Sequence, residues 1–124
     1  MKRDMEVIRR LLLYFNAKDG PEMAGSPDIG REYPPHVVQY HLRLMCEAGW
    51  LNYEAERSST SHRIIRVYPF DLTWEGHEFL AKITTDGVWP KLETMIASRG
   101  GSMAVSVMNL LATKLAMEAA GLKS

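Results

Sequence analysis

The chain has 124 residues, 24% charged and 46% hydrophobic, inside the ordinary range of a folded domain and outside that of a disordered segment. Lysine plus arginine equals aspartate plus glutamate at 15 each, so no global charge excess argues for nucleic acid and any such case must be local. The single Cys46 excludes an internal disulfide and a thiolate zinc cage, and no apolar run approaches the ~20 residues that span a bilayer; one domain in a reducing, cytoplasmic setting is expected.

Over residues 4–16, Met5, Ile8, Leu11, Leu12 and Phe15 recur at spacings of three and four, with Glu6, Arg9 and Arg10 on the other side. That pattern predicts an amphipathic helix. Asp4 is its expected N-cap and Asp19-Gly20-Pro21 its stop, since glycine permits positive φ and proline lacks a backbone donor. Residues 20–33 read as a loop with at most a short strand or one turn near 27–30. Pro34-Pro35 opens a second helix and Gly49 closes it. Val37, Val38, Leu42, Leu44, Met45 and Ala48 form the expected core face of that helix, and His36, Gln39, Tyr40, Arg43 and Glu47 its outward face. Residues 50–55 and 63–68, aromatic and β-branched, predict a β-hairpin with a mobile polar tip over 56–62. Thr73 caps a third helix that buries Phe79, Leu80 and Ile83. Gly76 inside it costs about 1 kcal/mol against alanine, which predicts close approach of another backbone. A fourth helix is expected over 89–97, and a last one capped by Ser102, running through Ala120 and ended by Gly121. Trp50, Trp74 and Trp89 each open an element and are expected to seal junctions of the core.

The run Val38-Gln39-Tyr40-His41-Leu42-Arg43-Leu44-Met45-Cys46-Glu47-Ala48-Gly49-Trp50-Leu51 resembles the recognition helix and first wing strand of small bacterial winged-helix repressors. Leu72-Thr73-Trp74-Glu75-Gly76-His77-Glu78-Phe79-Leu80 resembles the stretch that opens their next helix. Over its whole length the chain is more closely similar to an uncharacterised bacterial and phage family catalogued as domain of unknown function 2513. That likeness rests on Met1-Lys2-Arg3-Asp4-Met5, Tyr40-His41-Leu42, residues 74–80, Trp89, and Gly100-Gly101-Ser102. These resemblances imply an α+β winged helix-turn-helix domain over 1–84: helix, loop, helix, β-hairpin wing, helix. A C-terminal helical extension over 85–124 is expected to pack on it as one compact unit.

His36, Gln39, Tyr40 and Arg43, with Arg57, Ser59, Thr60, His62, Arg63 and Arg66 of the hairpin, form the candidate surface for double-stranded DNA. Glutamine pairs with adenine edges and arginine with guanine edges, while hydroxyl and basic side chains hold phosphates. The competing reading is a solvated polar face, because Glu47 offsets Arg43 and Glu54 and Glu56 oppose two of the three hairpin arginines. His36 and His41 are five apart, rotated roughly 140° on a helix, so no metal site is expected; His41 reads as a hydrogen-bonded core residue. Cys46 reads as an inert thiol. No nucleophile–base constellation and no phosphate loop appear, so neither an enzyme nor a cofactor is expected. The last helix carries an apolar surplus, and Met103, Val107, Leu110, Leu111 and Met117 are its candidate interface with a second copy. Two classes stay open: a small homodimeric DNA-binding regulator, and a protein-interaction module of phage or prophage origin that has lost DNA. The second draws on zero net charge and on the breakers in 21–33, where winged-helix repressors place a short helix.

Overall fold

Asp4 begins the first helix by accepting the backbone N–H of Glu6 at 2.9 Å. In this computed structural model, which describes residues 1–101 and 103–122, the elements are α1 (Met5–Ala17), α2 (Pro35–Glu47), β1 (Leu51–Arg57), β2 (Ile64–Leu72), α3 (Trp74–Ile83), α4 (Val88–Ser98) and α5 (Val105–Ala119). Among the described residues this is a mixed α+β chain of five helices and one two-stranded antiparallel sheet. It groups into two compact units, Met1–His77 and a second from Glu78 onward, with α3 running through the boundary.

In the first unit α1 buries Met5, Ile8, Leu11, Leu12 and Phe15 as its spacing predicts, and Val7 in addition. α2 packs against α1 and the hairpin through Val38, His41, Leu42, Met45 and Cys46, one stripe of three- and four-residue steps. The expected core face needs correction: Val37 and Leu44 are half-buried and Ala48 is exposed. Those residues are apolar, but they stand to one side of the stripe that includes His41 and Cys46. Gly49, at φ +79°, ends α2 with its N–H on the Cys46 carbonyl at 3.0 Å, and the N–H of Trp50 reaches the Met45 carbonyl at 2.9 Å. This paired closure turns Trp50 into the core, where it is 6% exposed.

The hairpin runs from Leu51↔Leu72 to Arg57↔Ile64, with register shifts between Asn52 and Tyr53 and between Glu56 and Arg57. It is longer than predicted and its tip is displaced to 58–63. Pro69 sits inside β2 opposite Tyr53, and its carbonyl accepts the N–H of Ala24 at 2.9 Å. The loop over 18–34 has no helix; it holds a turn closed by the Tyr33 N–H on the Gly30 carbonyl at 3.3 Å. Thr73 accepts the Gly76 N–H at 3.1 Å and so starts α3, and its hydroxyl bonds the Gly49 carbonyl. A Cβ on Gly76 would fall on the Trp50 carbonyl oxygen, which is the close backbone approach the sequence predicts. Trp74 is corrected: it is 76% exposed and seals nothing, because it stands two residues and roughly 200° around the helix from Gly76, the residue against the core.

In the second unit α4 buries Val88, Leu92 and Ile96, and α5 buries Met108, Ala112 and Leu115 against α4. α5 starts from Ala104 without a side-chain cap; the predicted cap, Ser102, lies outside the described residues. Gly121, at φ +79°, closes it with bonds from Gly121 N–H to Glu118 and from Leu122 N–H to Met117, 3.0 and 2.8 Å long. Among the described residues no helix is long and apolar enough to cross a membrane.

Candidate nucleic-acid interface

With about 100° between successive residues, α2 carries His36, Arg43 and Glu47 opposite its buried stripe, Gln39 on one flank and Tyr40 on the other. His36 is exposed, and Gln39, Tyr40 and Arg43 are half-buried. The Arg43 guanidinium lies 3.4 Å from the Glu47 carboxylate, and both side chains are largely in solvent. Such an exposed pair is worth about 0–1 kcal/mol and can be exchanged for a stronger acceptor.

The Gln39 flank borders a groove of about 830 Å³ between the 26–33 loop, α2 and the hairpin, into which Asp28, His36, Gln39, Glu56, Ile65 and Arg66 converge. The loop owes its position to Arg10, which sequence alone leaves on the solvent side of α1. Its guanidinium donates to the Ile29 carbonyl at 2.9 Å and to Glu32 at 2.7 Å, and lies 5.1 Å from the centre of the Tyr33 ring. A backbone N–H and the Arg10 guanidinium together hold the Glu32 carboxyl below the usual carboxylate range.

The Tyr40 flank meets residues 1–4. The Tyr40 hydroxyl donates to the Met1 carbonyl at 3.3 Å, and its ring stands edge-on to His41. His41 is 1% exposed, donating from Nδ1 to the Val37 carbonyl and accepting the Asp4 N–H on Nε2, each at 2.8 Å. Both ring nitrogens are thus occupied within the core. Burial, then the nearby Glu47 carboxylate, push the Cys46 thiol up to about 12, so it carries almost no thiolate at neutral pH.

At the hairpin tip the Ser58 N–H donates to the Arg63 carbonyl at 2.8 Å and the His62 N–H to the Ser58 carbonyl at 3.0 Å. The Ser58 hydroxyl accepts the N–H groups of Thr60 and Ser61, both at 3.3 Å. Arg57 donates to the His62 carbonyl at 3.0 Å, and His62 takes a φ of +58°. Ser59, Thr60, His62 and Arg63 therefore project from a braced turn, all exposed. The expected opposition of charges is corrected in part: Glu56 stands across from Arg66, but Glu54 stands across from Tyr68. Glu56 accepts the Tyr68 hydroxyl at 3.1 Å, and Arg66 lies over the Tyr68 ring. Among the described residues none of Arg57, Arg63 and Arg66 forms an ion pair.

The structure thus brings His36 and Gln39 together with Arg66, while Arg57 and the tip residues stand beyond the groove. Asp28 and Ile29 join this site without having been singled out, because the loop's fixation through Arg10 has no local sequence signal, and Glu56, expected only as a charge opposing the hairpin arginines, joins them from β1. On α5, Leu110 is 72% and Val107 44% exposed, whereas Leu111 and Met117 are half-buried; Met103, expected on this helix, is half-buried but precedes its first residue. Among the described residues no cluster of three His, Cys, Asp or Glu is placed to hold a metal ion.

The family described as "Hypothetical protein (DUF2513)" matches residues 2–102 of the chain. An uncharacterised protein of Haemophilus influenzae is 31% identical over 112 residues, covering 90% of this chain and 92% of that protein. No solved structure matches.

Proposed function

The chain belongs to the family described as Hypothetical protein (DUF2513), a description that names no activity, and we propose one from the residues themselves: a winged-helix domain that reads duplex DNA. In this reading α2 enters the major groove and the β1–β2 hairpin rests on the phosphate backbone. The order helix, loop, helix, hairpin, helix supports the assignment, and the 18–34 loop, pinned by Arg10 and by the Ala24–Pro69 bond, stands in for the short helix that usually precedes a recognition helix. One observation carries the binding: three hairpin arginines, without carboxylate partners among the described residues, flank a recognition face that offers Gln39 and Arg43. Gln39 suits an adenine edge, and Arg43 a guanine edge once it leaves exposed Glu47. Ser59, Thr60, His62 and Arg63 suit phosphates. The exposed Leu110 and Val107 of α5 support pairing with a second copy.

A second reading, a protein-interaction module, is favoured by the groove alone, where the carboxylates of Asp28 and Glu56 repel phosphate and Ile65, 64% exposed, offers an apolar surface. Retention of the full chain on mixed-sequence duplex DNA, measured against salt, separates the two. The DNA reading expects binding that weakens steeply with salt, a uniform loss for Arg63→Ala and Arg57→Ala, and an altered sequence preference for Gln39→Ala. Arg63→Ala is the cleaner probe, because Arg57 also braces the tip. No salt-dependent retention at low ionic strength overturns the DNA reading in favour of the second.

A further inference from the structure

We propose that residues 1–4 form a second phosphate-binding element, with Lys2 and Arg3 touching the DNA strand on the side of α2 opposite the hairpin. The inference rests on the DNA reading and adds residues that the recognition face and the hairpin do not supply. Two bonds fix the segment: the Tyr40 hydroxyl holds the Met1 carbonyl at 3.3 Å, and His41 holds the Asp4 N–H at 2.8 Å. Lys2 and Arg3 lie between these anchors, so the segment crosses α2 at the level of Tyr40 and His41. On the helix, Tyr40 and His41 are about 100° and 200° from Gln39, the residue that borders the hairpin groove. The hairpin and residues 1–4 therefore flank α2 on different sides.

A helix in the major groove has a phosphate backbone along each wall, and cations on one side alone leave the other wall unneutralised. The hairpin supplies Arg57, Arg63 and Arg66 to one wall. On the other flank α2 itself offers the uncharged Val37 and Leu44, and Tyr40, which stands only about 20° around the helix from the Glu47 carboxylate, so any cation for that wall must come from outside α2. Lys2, exposed, brings one positive charge to that flank, and Arg3, half-buried and already in contact with the protein, brings a second that exchanges its partner for phosphate, while the Asp4 carboxylate accepts the Glu6 N–H as the cap of α1. Tyr40 acts here as a positioning residue rather than as a reader of bases.

Binding of the full-length chain to a mixed-sequence duplex, titrated against salt, tests this. Lys2→Ala with Arg3→Ala should lower affinity for all sequences alike and reduce the log–log salt slope by about 0.9 for each phosphate no longer neutralised. Lys2→Arg should keep the slope. Tyr40→Phe should lower affinity less than the double variant, by releasing the segment without removing charge. Lys18→Ala, at the far end of α1, removes a single charge, as Lys2→Ala alone does, and should leave binding unchanged where Lys2→Ala weakens it. If the wild type binds and Arg63→Ala weakens it while the double variant keeps wild-type affinity and slope, this inference fails and the DNA reading stands; an effect of Lys18→Ala equal to that of Lys2→Ala also overturns it. If the wild type shows no salt-dependent binding, the DNA reading itself has failed.

Discussion

The imidazole of His41 accepts the backbone N–H of Asp4 at 2.8 Å, joining the residue that caps α1 to the middle of α2. The other ring nitrogen donates to the Val37 carbonyl, so the ring satisfies one long-range and one local backbone group inside the core. His41→Phe keeps much of the volume and loses both bonds, leaving a part-buried N–H and a carbonyl unmet. Urea unfolding should show a loss of about 1–3 kcal/mol. A variant as stable as the wild type would mean that water or a shift of residues 1–4 satisfies Asp4.

Gly76→Ala sets two effects against each other. Alanine gains about 1 kcal/mol of helix propensity over glycine, but its methyl would collide with the Trp50 carbonyl, backbone that is itself held by the Thr73 N–H at 3.0 Å. Overpacking of this kind costs about 1–3 kcal/mol or more, so the net effect should be destabilising. A thermal melt that rises on substitution would contradict the close approach.

The Cys46 thiol, raised by burial and by Glu47 to about 12 from an ordinary 9.0, links stability to alkaline pH. Because the folded state holds the proton more tightly, the contribution is complete below pH 9.0 and is lost as pH rises from there toward about 12. Cys46→Ala should flatten the fall of the urea midpoint over that window. Below it, a thiol reagent should modify native Cys46 far more slowly than the unfolded chain.

What sequence made legible were features with a local physical demand. Asp4, Pro35, Gly49 and Thr73 mark helix ends because each answers a backbone requirement within a few residues, and Gly76 announced its neighbour because glycine inside a helix has a cost. The stripe of α2 was less readable: counting apolar residues admitted Val37 and Leu44, whereas the buried line runs through His41 and Cys46. The outward face followed in outline, since polarity alone defines it. Arg10 and residues 1–4 were out of reach, because their roles depend on partners such as Ile29, Glu32 and Tyr40, 19 to 39 residues away. Trp74 was misread for the reverse reason: an element's first residue need not face its core.

Leu110 stands directly across α5 from the buried Met108, Ala112 and Leu115, and it is the most exposed large apolar residue of that helix at 72%. Val107, 44% exposed, lies about 60° from it on the same side. Each large apolar side chain left in water forgoes roughly 1.5–3 kcal/mol, which favours covering them by a second copy once the entropic cost of association is met. Leu110→Glu places a charge at the centre of that surface. Exposed substitutions usually change stability by no more than about 0.5 kcal/mol, so the variant should keep its melting transition at dilution while losing self-association. Sedimentation of the wild-type chain at micromolar concentrations should give a dimer, and Leu110→Glu a monomer. A monomeric wild type, or a Leu110→Glu variant that still sediments as a dimer, removes α5 from the interface.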